Sequence, residues 1–182
     1  MASEDELSLP VGERDHARGP ATAPVTLVMY GDYQCPYTAL SNRFVAELRE
    51  ELGERLRLVY RHFPLSDVHP DAERAAEAAE AAAAQGRFWE MHDALFEKQA
   101  SLRERDLVRY AAGLGLDRDR FSQALARHAH AERVAKDAES GRESGVHGTP
   151  AFFINGRRQR AKFDLPGLRK EIEVVLGMKE SE

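Results

Sequence analysis

The sequence predicts an α/β fold whose small sheet is interrupted by an all-helical insertion. Three observations carry this reading. A β-branched apolar run at 25–30, "VTLVMY", leads into a helical pattern and then a second strand, 56–63. An alanine-rich block from 71 to about 141 has helical spacing throughout. Strand character then returns at 149–163 around Asn155-Gly156, a two-residue hairpin signal.

Taken in order, residues 1–24 are polar and punctuated by Pro10, Gly12, Gly19, Pro20 and Pro24, and read as an arm with little regular structure. The run 25–30 is almost continuously apolar, as a strand buried on both faces should be. Pro36 suits a first helical turn, where its missing N–H costs little. Leu40, Phe44, Val45, Leu48 and Leu52 follow at helical spacing, and Gly53 closes the helix. "LRLVYRHF" alternates as a strand and stops at Pro64. A strand, helix and strand in succession make a right-handed parallel unit, which delivers residues 31–38 to the carboxyl edge of the sheet, where open α/β sheets place their sites. Helices are expected over 71–86, 87–99, 106–116, 117–128 with an Asp cap, and 131–141. Trp89 reads as core rather than cofactor contact, and His92 as a packed helix residue. A last helix, 165–177, directs Leu168, Ile172, Val175 and Leu176 inward. The domain proper is 25–182.

Composition removes several classes of function. A net charge of -5 argues against nucleic acid, whose phosphates require a concentrated basic face. The cluster Arg157, Arg158, Arg160 and Lys162 reads as a solvated hairpin face. With one cysteine there is no internal disulfide and no thiolate zinc site, and the histidine spacing implies no metal pair. No segment suits stable membrane insertion, the acidic N-terminus lacks the apolar region of a secretory signal, and the default compartment is the cytoplasm. Oligomeric state is left open.

The chemistry centres on "GDYQCPYTAL". Cys35 sits between strand end and helix start, where free N–H groups and the helix dipole favour a thiolate. The turn is expected to be exposed; the competing reading is an inert apolar filler. The Thr38 hydroxyl, one turn on, has the sulfur within reach as a hydrogen-bond acceptor. Tyr33 and Tyr37 are candidates for an apolar wall, and His147 for a thiolate partner or a solvated loop residue.

The stretches "ERDHARGPATAPVTLVMYGDYQCPYT", "YRHFPLSDVHPDAERAAEAAEAAAAQGRFWEMHDALF" and "GVHGTPAFFING" resemble the DsbA-like thiol-disulfide oxidoreductases, in particular their short branch that also occurs fused to Na⁺/H⁺ antiporters. The resemblance covers about residues 13–177 and implies a thioredoxin-like fold with an inserted helical subdomain. It makes Cys35 the nucleophile and Pro36 and Tyr37 the dipeptide that tunes it. Thr149 and Pro150 match the family's cis-proline loop, whose backbone pairs with substrate. Thr38 stands where the family carries its resolving cysteine.

With one sulfur, a mixed disulfide has no internal resolution. The first reading is a monothiol oxidoreductase acting on protein or small-molecule disulfides, with no tightly bound cofactor. A low-molecular-weight thiol such as glutathione resolves its intermediate. The alternatives are a kappa-class-like glutathione transferase, with Thr38 or Cys35 steadying the glutathione thiolate, and a redox-inactive binding module.

Overall fold

The computed structural model describes residues 5–159 and 164–178. Strands β1 (His16–Arg18), β2 (Val25–Gly31), β3 (Leu56–His62), β4 (Ala151–Ile154) and β5 (Arg157–Arg158) form one sheet in the order β1-β3-β2-β4-β5. β2 and β3 are parallel, joined by helix α1 (Pro36–Leu52); all other neighbours are antiparallel. Between β3 and β4 come α2 (Ala72–Ala83), α3 (Phe88–Glu97), α4 (Glu104–Gly113), α5 (Arg118–Ala126) and α6 (Ala131–Glu143), with α7 (Leu165–Val175) last. No helix among the described residues is long and apolar enough to cross a membrane.

The apolar run in β2 has a plain cause. Leu27 and Met29 enter a core shared with α1, α2, α3 and α7, while Val28 and Tyr30 enter a second cluster with Phe63, Val146 and Phe153 on the opposite face. In α1 the buried positions are Thr38, Ser41, Val45, Leu48 and Leu52, a three-four alternation. Leu40, expected on that stripe, is 46% exposed, because Thr38 and Ser41 take the inward places in the first turns. Val175 is likewise exposed, while Leu168 and Ile172 are buried.

The Asn155-Gly156 turn is present. Both residues have left-handed backbone, φ 48° and 83°, as the two-residue hairpin requires. Asn155 also accepts the Thr26 N–H at 2.8 Å and donates to the Pro24 carbonyl at 3.0 Å, pinning the turn to the start of β2. Arg160 and Lys162, and the expected strand as far as 163, lie outside the described residues.

The N-terminal arm departs from its expected character. It contributes β1, which pairs with β3, and is fastened by Arg61. This guanidinium is fully buried and all five of its N–H donors are used. It holds the Asp15 carboxylate bidentately at 2.8 and 3.0 Å, the Leu9 and Pro10 carbonyls at 2.9 and 3.3 Å, and the Tyr30 hydroxyl at 2.9 Å. Removing one partner of such a pair strands a charge in the interior. Asp15→Ala should therefore lower unfolding stability by about 3–5 kcal/mol in urea titrations; a loss under about 1 kcal/mol would show that the arm is not anchored there.

The insertion is joined to the sheet by charge as well as by packing. The buried alanines of α2 allow close approach. On the same helix, Glu80 Oε1 accepts from His16 Nε2 of β1 and His62 Nε2 of β3, both at 2.8 Å. Burial pushes the Glu80 carboxyl up, but these two hydrogen bonds outweigh it and hold the group well below the usual carboxylate range. A carboxyl depressed on folding stabilises the folded state above its unfolded value, ~4.3, and loses that contribution as pH falls further. Thermal midpoints should accordingly drop steeply below about pH 4.5, and Glu80→Gln should flatten that drop. Parallel curves for the two proteins would uncouple Glu80 from acid unfolding.

Candidate active site

β2 ends at Gly31, directly beside His62 of β3. The next residue, Asp32, is buried and organises everything around it. Its Oδ1 accepts the Gln34 N–H at 2.7 Å and the Cys35 N–H at 3.2 Å, an Asx-type turn that sets the approach to α1. Its Oδ2 accepts the Leu65 N–H at 2.9 Å and His69 Nδ1–H at 2.7 Å, both from the loop between β3 and α2. Three of the four partners are backbone N–H groups, and the His69 ring completes the set.

Cys35 is the N-cap of α1, in extended backbone at φ -77° and ψ 120°, with Pro36 in the first helical turn. It is only 3% exposed, contrary to the expectation of an open turn. Two long-range contacts close over it. The thiol points to the Thr149 carbonyl at 3.6 Å, across from the Thr149–Pro150 bond, which is cis. Gln99, in the loop between α3 and α4, donates from Nε2 to the carbonyls of Tyr33 at 2.8 Å and Cys35 at 2.9 Å. Gln34 ties the turn to the insertion from the other side, accepting the Asp71 N–H at 2.8 Å.

Thr38 is fully buried, but its hydroxyl is not on the sulfur. It accepts the Asp32 N–H at 3.5 Å, and its methyl packs over Gly31. A Cβ at residue 31 would lie 2.7 Å from that methyl and 2.6 Å from the Tyr60 ring, so only glycine lets the strand end pass beneath the helix. The Tyr60 and Thr149 hydroxyls are both buried without a hydrogen-bond partner.

The two tyrosines of the motif separate. Tyr33 is buried, with its hydroxyl 3.0 Å from His92 Nδ1; His92 Nε2 meets Asn42 Oδ1 at 2.9 Å. Burial keeps His92 neutral and the Tyr33 phenol protonated. With Nε2–H on Asn42, Nδ1 is left as the acceptor for the Tyr33 O–H. Tyr33 is thus core, and Tyr37 alone is exposed, at 58%, beside exposed Pro36 and Leu40. His147 is exposed, and the hydrogen bond of the sulfur goes to Thr149 instead. No group of three His, Cys, Asp or Glu residues among those described is placed to hold a metal.

Sequence reasoning therefore located the sulfur, the helix start and the facing Thr149–Pro150 loop. It passed over Asp32, Gln34, His69 and Gln99. An aspartate three residues before an N-capping cysteine was the available signal for the first of these; the others act across long sequence separations.

The fold has counterparts among solved structures. BdbD from Bacillus subtilis, in its oxidised form, superposes with a TM-score of 0.83 at 22% identity over 96% of this chain and 100% of that one. Alpha-DsbA1 from Wolbachia pipientis gives 0.77 at 22% identity over 96% of both chains. MdbA from Corynebacterium diphtheriae, a thiol-disulfide oxidoreductase, gives 0.67 at 21% identity over 86% and 85%. These likenesses establish a shared fold. Sequence relatives are nearer: a protein named Na(+)/H(+) antiporter NhaA 3 from Salinispora tropica is 51% identical over 164 residues, and one named Na(+)/H(+) antiporter NhaA from Herminiimonas arsenicoxydans is 46% identical over 152. Those matches cover 90% and 84% of this chain but only 25% and 24% of the relatives, so the chain spans about a quarter of their length. A family profile described as Thioredoxin matches residues 12–173, which takes in both the sheet and the insertion, and the chain belongs to that thioredoxin family.

Proposed function

We propose that the protein is a monothiol thiol-disulfide oxidoreductase in which Cys35 carries the exchange and an external thiol completes it. The carrying observation is the sulfur at the N-cap of α1, facing the Thr149 carbonyl of the opposing loop. Free N–H groups at a helix start favour negative charge, and the thiolate is the attacking species. Pro36, Tyr37, Thr149 and Pro150 line the approach to it; exposed Tyr37 offers a disulfide-bearing peptide an apolar contact.

The exchange balances with the external thiol as its reductant. The Cys35 thiolate attacks one sulfur of a substrate disulfide, forming a Cys35 mixed disulfide and expelling the other sulfur as thiolate. A low-molecular-weight thiolate such as glutathione then attacks the substrate sulfur of the mixed disulfide, forming a glutathione–substrate disulfide and returning Cys35 as the leaving thiolate. Thr38 supplies no second sulfur. Its hydroxyl oxygen accepts the Asp32 N–H, which leaves its own proton free to donate; the transferase reading, in which Thr38 or Cys35 steadies a glutathione thiolate, differs in forming no mixed disulfide.

Incubation with glutathione disulfide, followed by intact-mass measurement, should add one glutathione to the natural protein and none to Cys35→Ser. Excess reduced glutathione should remove it. An unmodified natural protein would sink the exchange reading and leave a binding module in its place. Thr38→Cys should restore two-sulfur chemistry, since residues three apart across a first helical turn can pair and the second thiol then acts at a high effective concentration. This variant should oxidise to an internal disulfide and oxidise reduced substrate proteins. Two free thiols persisting under mild oxidation would mean that positions 35 and 38 are not paired in this way.

A further inference from the structure

We propose that Asp32 and His69 form a positioning pair that sets the reactivity of Cys35; this rests on Cys35 being the reacting sulfur. The Asp32 carboxylate bonds the Cys35 N–H itself, so it both fixes the geometry of the cysteine and places a negative charge beside it. That charge opposes formation of a second one on the sulfur. The opposite oxygen is held by His69 Nδ1 at 2.7 Å, and the imidazole is 20% exposed, so it connects a buried carboxylate to solvent. A base in that place disperses the carboxylate's charge and relieves its opposition to the thiolate.

The other ionisable groups around the turn do not duplicate this role. Tyr60 on β3 interacts electrostatically with both Asp32 and Cys35 but bears no positive charge. His62, also on β3, is committed to Glu80. Asp71, just before α2, meets the turn through Gln34, and Asp137 of α6 is bound to the His62 N–H. His69 is the base in contact with Asp32.

Because Cys35 is the sole cysteine, its alkylation by iodoacetamide can be followed by intact mass from pH 5 to 9 without competing sites. His69→Gln should slow alkylation at pH 7 by about three- to tenfold, the change in thiolate fraction that a shift of roughly half to one pH unit produces. Asp32→Asn should speed it. In the Asp32→Asn background, His69→Gln should have no further effect, because the imidazole acts through that carboxylate. His69→Lys, which puts a positive charge at that position, should recover part of the lost rate. A His69→Gln profile superimposed on the natural one, or an equal effect of His69→Gln with and without Asp32, would overturn the proposal. If circular dichroism shows Asp32→Asn unfolded, the His69→Gln and His69→Lys profiles decide alone. Alkylation reports on the sulfur whether or not disulfide exchange occurs. A shifted profile without a glutathione adduct would therefore remove the exchange reading and leave the pair standing.

Discussion

A buried carboxylate has to be satisfied, and Asp32 shows how much structure that one requirement can recruit. Its four N–H donors come from two separate parts of the chain: the turn entering α1, and the loop leaving β3. Leaving any of these polar groups unpaired in the interior costs about 1–3 kcal/mol. The turn therefore cannot relax independently of the loop, and the cysteine's place at the helix start follows from a bond formed at the strand end. The closest part of the helical insertion, which begins just after that loop, inherits its position from the same residue.

The insertion answers with polar contacts of its own. Gln99 grips the turn carbonyls, Gln34 meets the first residue before α2, and Glu80 and Asp137 tie α2 and α6 to the end of β3. Alanine packing along α2 brings these elements close but discriminates poorly between neighbouring registers. Directional hydrogen bonds to buried charges do discriminate, at a cost in desolvation. In this protein they cluster where the sheet's carboxyl edge meets the insertion, which is also where the sulfur lies.

The sequence made legible those features whose physics is local. β2 could be read because both its faces are buried, the hairpin because Asn155-Gly156 fits a backbone that few other pairs adopt, and α5 because Asp117 caps it by accepting the Arg120 N–H. The strand His16–Arg18 carries no apolar alternation, and its pairing depends on contacts with β3 and on Arg61 far along the chain. The inward turn of Thr38 in place of Leu40 follows from where α1 meets the sheet, which spacing within the helix does not specify. The covering of Cys35 is similar: Thr149 and Gln99 arrive from 114 and 64 residues away. A local pattern identified the nucleophile's position; only tertiary contacts revealed its surroundings.

Arg61 bears on how this unit can be moved from one host chain to another. Its protein partners upstream of β2 are Leu9, Pro10 and Asp15, so the interior of the sheet is electrically complete only when that stretch travels with it. A graft that began at the first long strand would keep the reactive turn, the insertion and the facing loop, yet carry an unneutralised guanidinium at its centre. The boundary of the transferable module is set by that ion pair rather than by the first residue of regular core structure.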